Sequence, residues 1–258
     1  MVDVKARLRR VLLGCVLAAA TVSHAQEPAE IIRLVDSPTA GLVDKGRFAV
    51  DLRMFSDGGL SGQLHAGILR RISIGLSFGG QGIIGNDAID WYPRVEANAR
   101  YRVIEESQGM PAITVGYETQ GYGPYHPRRY QIKSKGMFTA FSKNYLSSLG
   151  QFGAHGGVNL SREDEDDGDF SGWVGVDKSI NEELFAVVEY DFALNDNDDE
   201  SLGSGRGFLN VGGHWSPVAE LSIGLLFKNI LENGDADIPG GPDPDLSREL
   251  SVRYTERF

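Results

Sequence analysis

The feature that most limits what this chain can fold into is a two-residue alternation of apolar and polar side chains. It recurs in short segments from about residue 47 to the end. Successive side chains of a β-strand point to opposite faces, so each segment sorts its residues onto an apolar face and a polar one. "RFAVDLRMF" places Phe48, Val50, Leu52 and Met54 opposite Ala49, Asp51 and Arg53. "RVEANARYRV" sets Val95, Ala97, Ala99, Tyr101 and Val103 against Glu96, Asn98, Arg100 and Arg102. "RISIGLSFGG", "AITVGYE", "ELFAVVEYDF", "ELSIGLLFK" and "ELSVRYTERF" repeat the pattern. The segments number about twelve, each close to the roughly 9–11 residues with which a tilted strand crosses a bilayer.

The connections separate a soluble β-protein from a membrane one. After the first turn, "SDGG", they alternate in length. "LRR", "EESQGM", "YLSSL", "SIN" and "SPVA" are short, whereas "QGIIGNDAIDWYP", "GYGPYHPRRYQIKSKG", "REDEDDGD", "NDNDDESLGSG" and "ENGDADIPGGPDPD" are long. A soluble sandwich has no reason to keep every second connection short. A membrane barrel does, with turns at one rim and loops at the other. No run past the first 25 residues approaches the roughly 18 apolar residues of a membrane helix, but barrels also lack such runs. The expected fold is therefore all-β: a transmembrane antiparallel up-and-down β-barrel of about 12 strands over residues 47–258. In hydrocarbon every backbone N–H and C=O needs a partner, so the last strand must close on the first. That pairing brings Asp51 and Arg253 together.

The first residues indicate the compartment. "VKARLRR", "VLLGCVLAAATV" and "SHAQ" follow the layout of a signal peptide, residues 1–25, cut after Ala25. Such cleavage removes Cys15, the single cysteine, and leaves no disulfide. Residues 26–46 form a short periplasmic lead-in to the first strand. The expected localisation is the outer membrane of a Gram-negative cell, with outer-membrane lipids and the barrel assembly machinery as partners. The net charge of -11 argues against nucleic acid as a partner.

Direction traced from this end places Tyr145, Trp215 and Phe258 at the periplasmic rim and Trp91, Tyr92, Tyr117, Tyr190 and Phe227 at the outer rim. These are the two aromatic belts of a membrane barrel. The inward face collects Asp51, Arg53, Glu96, Arg100, Arg102, Glu118, Asp177, Glu189, Asp191, Lys228 and Arg253 as lumen-lining candidates. Lys133, Lys135 and Lys143 join them on a less regular strand. Basic residues gather around the fourth and sixth strands and acidic ones on the eighth and ninth, a division that would set a transverse field across a narrow lumen. Filling the interior of a small barrel explains the same charges equally well.

His65, His155 and His214 also take inward parity, on the second, seventh and tenth strands. Strands two and seven lie nearly across the barrel, so no catalytic constellation is read here. The acidic loops could attract Ca²⁺ or Mg²⁺, but neither has a complete calcium-loop spacing, and no metal site or cofactor is assigned.

"VDSPTAGLVDKGRF" (Val35 to Phe48) resembles the segment preceding the first strand in YjbH-type proteins, a family of outer-membrane β-barrels associated with exopolysaccharide production. "ISIGLSFGGQGIIG", "YRVIEESQGMPAITVGYETQGYGPY" and "YQIKSKGMFTAFSKNY" resemble that family's strand-and-loop blocks, so the likeness spans most of residues 35–145. It implies an envelope channel or scaffold linked to exopolysaccharide export or surface presentation, with polysaccharide export proteins as partners. A general small-solute porin, or a surface interaction protein acting through the acidic loops, is the alternative. The alternating last strand resembles the C-terminal signal of outer-membrane barrels, carried here by Tyr254 and Phe258.

Overall fold

A computed structural model describes residues 30–258 except 127, 148–149, 164–167, 198–200 and 235–245. The expected signal peptide and the centres of three acidic or Asp-rich loops lie outside the described residues. The strands are β1 (Arg47–Phe55), β2 (Gly59–Leu69), β3 (Ile72–Gln81), β4 (Asp90–Trp91), β5 (Glu96–Ile104), β6 (Ala112–Glu118), β7 (Tyr122–His126) and β8 (Arg129–Ile132). They continue as β9 (Gly136–Ser147), β10 (Gly150–Leu160), β11 (Phe170–Ser179), β12 (Leu184–Asp191), β13 (Phe208–Val218), β14 (Leu221–Lys228) and β15 (Ser247–Arg257).

Twelve of these form a closed antiparallel ring, because β1 pairs with β15 at one seam and β2 pairs with β3. The short β4 extends the sheet beyond β3, and β7–β8 is a separate hairpin inside the connection from β6 to β9. At the seam Asp51 faces Arg253, and Arg253 Nε donates to Asp51 Oδ1 at 2.5 Å.

Burial in the ring is inverted relative to a soluble protein. On β3, Ile74, Leu76 and Phe78 are exposed while Ser73, Gly75 and Ser77 are buried. Leu64, Val115, Val158, Val176 and Leu225 likewise face outward, whereas Lys228, Glu96, Glu118 and Glu189 are among the largest fully buried side chains. Water cannot stabilise that exterior, but hydrocarbon can. The alternation read from the sequence is thus an apolar lipid face around a polar lumen. The tight β1–β2 turn follows from Asp57-Gly58, whose φ values of 57° and 64° match the hairpin geometry that Asp-Gly favours.

The expected aromatic belts need one correction. Tyr145, Trp215, Phe258, Trp91, Tyr117 and Phe227 are exposed near the rims, but Tyr92 is buried. It follows β4 into the lumen, where its hydroxyl donates to the Gly123 carbonyl at 3.0 Å.

Residues 30–44 do not remain a periplasmic lead-in. They fold as an irregular hairpin that enters the lumen from the short-turn rim, and residues 32–43 are buried throughout. Leu34 N–H donates to the Ser37 carbonyl at 3.0 Å and Thr39 N–H to the Ile32 carbonyl at 3.2 Å, which turns the chain back on itself. A lumen lined with charge attracts a segment that can offer carbonyls, amides and counter-charges.

Candidate functional site: a lumen closed from both ends

The segment 30–44 acts as a plug, and its contacts involve Arg53, Arg100, Arg102, Glu118, Glu189 and Lys228 among the lumen candidates. At the tip, Glu189 Oε2 accepts the backbone N–H groups of Val35, Asp36 and Ser37 at 3.0, 3.0 and 2.8 Å. Asn210 Nδ2 holds its other oxygen at 3.0 Å. Asp36 lies between Arg53 Nη2, at 2.7 Å, and Lys228 Nζ, at 3.0 Å. Glu249 bridges the same two cations from the wall, bonding Arg53 Nε and lying 2.9 Å from Lys228 Nζ.

The outward-going limb of the plug is fixed by Arg33, which pairs with Glu118 and donates to Gln63 Oε1 at 3.0 Å. Glu118 also pairs with Arg100 at 3.2 Å, and Arg100 donates to the Ile32 carbonyl at 2.6 Å. On the return limb, Arg102 Nη2 and the Thr114 hydroxyl donate to the Ala40 carbonyl at 2.7 and 2.6 Å. Trp173 Nε1 donates to the Pro38 carbonyl at 3.1 Å. Each buried charge therefore has an ionic or hydrogen-bonded partner, as burial requires.

The second closure comes from the long-loop rim. The β7–β8 hairpin folds inward, and Tyr122 meets the plug's ion cluster. Its ring centroid lies 4.4 Å from the Arg53 guanidinium, 5.1 Å from Lys228 Nζ and 5.4 Å from the Arg33 guanidinium. Three cations around one aromatic ring make a favourable electrostatic contact. Tyr130 packs edge-on against Tyr92 and Tyr125, both at 4.9 Å, and its hydroxyl donates to Glu96 at 3.2 Å. Arg129 makes a two-pronged contact with Asp196 at 2.7 and 2.9 Å, tying the hairpin to the β12–β13 loop.

The lumen candidates thus divide by neighbourhood, and the idea of opposed basic and acidic walls is corrected. Arg53, Arg100, Arg102, Glu118 and Glu189 hold the plug, Asp51 and Arg253 hold the seam, and Glu96 holds the hairpin. Asp191 pairs with Lys135 and accepts the Ala193 N–H at 3.0 Å. Asp177 contacts His155 at 2.7 Å. Lys143 does not line the lumen. The inward positions of β9 are Phe138, Ala140 and Ser142, so Lys143 takes the outward parity. It pairs instead with Glu106 at 3.2 Å, at the rim. Sequence reasoning missed Arg33, Asp36, Tyr122, Trp173 and Glu249. Their signal was an inward wall so rich in charge that a narrow lumen needs further counter-charges.

No group of three or more His, Cys, Asp or Glu among the described residues is arranged to hold a metal ion. The acidic loops in which cation binding was considered lie partly outside the described residues.

Glu163 gives the hairpin a pH dependence. In the β10–β11 connection it accepts the Tyr130 backbone N–H at 3.1 Å, and burial pushes its carboxyl up to about 7 from the usual carboxylate range. The docked form therefore binds the proton more tightly than an undocked one. Docking is strongest below the ordinary carboxylate pKa and weakens as pH rises through about 7. Hydrogen exchange at the hairpin amides, corrected for intrinsic rates, should show more protection at pH 5 than at pH 8. Glu163→Gln should flatten the difference; an unchanged difference would contradict the assignment.

Fold and lumen together define a membrane-spanning β-barrel closed from inside. No family model matches the chain, and no curated protein matches it. Among solved structures it is similar to a NanC porin in a rhombohedral crystal form, at 10% identity over 82% of this chain and 99% of that one, with a TM-score of 0.49. It is also similar to the KdgM porin in complex with disordered oligogalacturonate, at 8% identity over 81% and 98% and a TM-score of 0.49. A further structure of the KdgM porin matches at 6% identity over 81% and 98%, with a TM-score of 0.47.

Proposed function

We propose that this protein is an outer-membrane channel kept shut at rest by its own N-terminal hairpin and opened by displacement of that hairpin. The observation that carries the reading is the plug itself, a segment with more than a dozen polar contacts to the lumen wall and, among the described residues, no strand pairing with it beyond a single bridge. A permanently open small-solute porin would gain nothing from such a segment. The apolar exterior and the alternating, aromatic-ended last strand support placement in the outer membrane by the barrel assembly machinery. The resemblance over residues 35–145 supports a role in exopolysaccharide export or presentation. Cells lacking the protein should release less surface polysaccharide, and a plasmid-borne copy should restore it. Equal polysaccharide in both strains would remove the exopolysaccharide part and leave the gated channel standing.

Phe258 serves assembly in this account. Phe258 is 76% exposed and its ring stacks on Phe48 at 6.5 Å, while its N–H donates to the Gly46 carbonyl at 3.0 Å. Tyr254 is also exposed, its hydroxyl donating to Glu256 at 2.6 Å. Loss of so exposed a ring costs the finished barrel less than the roughly 1.5–3 kcal/mol of a fully buried one. Phe258→Ala should therefore refold in detergent with nearly full heat resistance but reach the outer membrane of cells in much smaller amount. Normal membrane levels would show that the ring carries no assembly signal.

A further inference from the structure

In the short-turn half of the lumen, beside the plug's return limb, lies a cluster that closure does not require. Ser142 on β9, His155 on β10 and Asp177 on β11 are inward residues of three consecutive strands. Ser142 Oγ lies 2.8 Å from His155 Nδ1, and His155 Nε2 lies 2.7 Å from Asp177 Oδ1. An ionised Asp177 can only accept, which places the proton on Nε2 and leaves Nδ1 to accept from the Ser142 hydroxyl. The side chains of His155 and Asp177 are 4% and 10% exposed, and Ser142 is 6% exposed. Residue 153, beneath the pair, is glycine, and a Cβ there would overlap both Asp177 Oδ1 and His155 Nε2.

Anchoring the plug does not account for this arrangement. Ser142 Oγ accepts the Ala40 N–H at 2.8 Å, and for that purpose a hydroxyl alone suffices. A buried imidazole and carboxylate behind it add a desolvation cost without adding a contact to the plug. What they do add is a base for the hydroxyl and a partner that orients the base, the geometry by which a serine becomes a nucleophile.

The geometry points to Ser142, His155 and Asp177 as a nucleophilic site for small O-acyl esters, reached from the short-turn rim. All three line a cavity of about 710 Å³ that runs between the plug and the wall. Beside Ser142 its lining includes the small residues Ala40 and Ala112, which leave room for an acyl group such as acetyl. Ser142 Oγ attacks the ester carbonyl carbon and its proton passes to His155 Nδ1. The carbon–oxygen bond to the alcohol then breaks, and that alcohol leaves with the proton from His155. Water attacks the acyl-serine in turn, giving one proton to His155, which passes it to Ser142 Oγ as the acyl–Oγ bond breaks and the carboxylic acid leaves. The Ala40 N–H, donated to Oγ at 2.8 Å, fixes the position of the hydroxyl beside His155 Nδ1. Arg102 and Thr114 hold the Ala40 carbonyl and so fix the orientation of the return limb there. The plug is therefore part of the site.

The test uses the full chain refolded in detergent and treated with diisopropyl fluorophosphate, followed by intact mass and peptide mapping. One adduct on Ser142 is expected, absent from Ser142→Ala. General-base assistance contributes about a hundredfold or more, so His155→Gln should slow labelling by at least that factor. Hydrolysis of p-nitrophenyl acetate should fall in parallel. Heat resistance of each variant on unboiled gels shows that the barrel is intact. No adduct on Ser142 in the folded wild type, or labelling undiminished in His155→Gln, would overturn the assignment.

Discussion

Asp36→Ala should turn a closed barrel into one that opens repeatedly. The carboxylate it removes lies 2.7 Å from Arg53 and 3.0 Å from Lys228, with its side chain 1% exposed. Removing one partner of a buried ionic cluster costs about 3–5 kcal/mol, because the remaining charges stay buried without compensation. Here Glu249 is left to serve two cations. The barrel does not depend on the plug for its backbone pairing, so the loss falls on the equilibrium between plugged and unplugged states. At tenfold per roughly 1.4 kcal/mol, the ratio shifts about a hundred- to several-thousandfold toward unplugged. Two readouts check this. Single-channel records should change from silence to frequent openings, and a cysteine introduced at Ser37 should become reactive to a water-soluble thiol reagent in the Asp36→Ala background. A variant that stays silent and unreactive would show that Asp36 does not hold the plug.

Trp173→Ala should produce the largest loss of stability among single ring deletions. Trp173 is 1% exposed, packs at 6.4 Å against Phe138, lies under Lys135 Nζ at 5.4 Å and donates to the Pro38 carbonyl. Deleting a fully buried aromatic side chain costs about 3–5 kcal/mol through lost contacts and the cavity left behind. Urea unfolding of the refolded protein should move to a clearly lower midpoint, while Trp173→Phe, which loses the N–H but keeps most of the ring, should move it far less. Equal midpoints for the wild type and the alanine variant would mean that the lumen repacks without cost.

Much of the barrel could be read from residue order, because a strand that separates lipid from lumen must alternate strictly. "RISIGLSFGG" has one physical solution in a membrane: Ile74, Leu76 and Phe78 out, Ser73 and Ser77 in. Strand number, closure and the Asp51–Arg253 seam all follow from that rule. Where the ladder is irregular, parity arguments fail. β9 and β10 shift register between Gln151 and Leu160, and Lys143 on that stretch faces outward to Glu106. The plug was illegible for a different reason. "IIRLVDSPTAGLVDK" has neither a two-residue nor a helical period, since its structure is imposed by partners such as Glu189, more than 150 residues away. Its bonds to Glu189 are made by backbone N–H groups, which every residue but proline possesses, so side-chain identity gives no clue. The grouping of Ser142, His155 and Asp177 was hidden in a similar way. His155 and Asp177 were visible as inward positions, but Ser142 was hidden by the inward parity assigned to its neighbour Lys143, and only the register between adjacent strands brings the three within hydrogen-bond reach.

Conductance across planar bilayers tests the gated-channel account most directly, comparing the wild type with a variant lacking residues 30–43. The wild type should be silent at low applied voltage, because plug and hairpin meet at the ion cluster of Arg53 and Lys228 and close the lumen there. The deletion should conduct steadily, since removal of the plug takes away Arg33 and Asp36, on whose ion cluster Tyr122 seats the β7–β8 hairpin, and leaves a lumen lined by Arg53, Arg100, Arg102, Lys228, Glu118, Glu189 and Glu249. Steady conductance of equal size in both proteins would contradict the account, as would silence in a deletion variant that remains folded and heat-resistant.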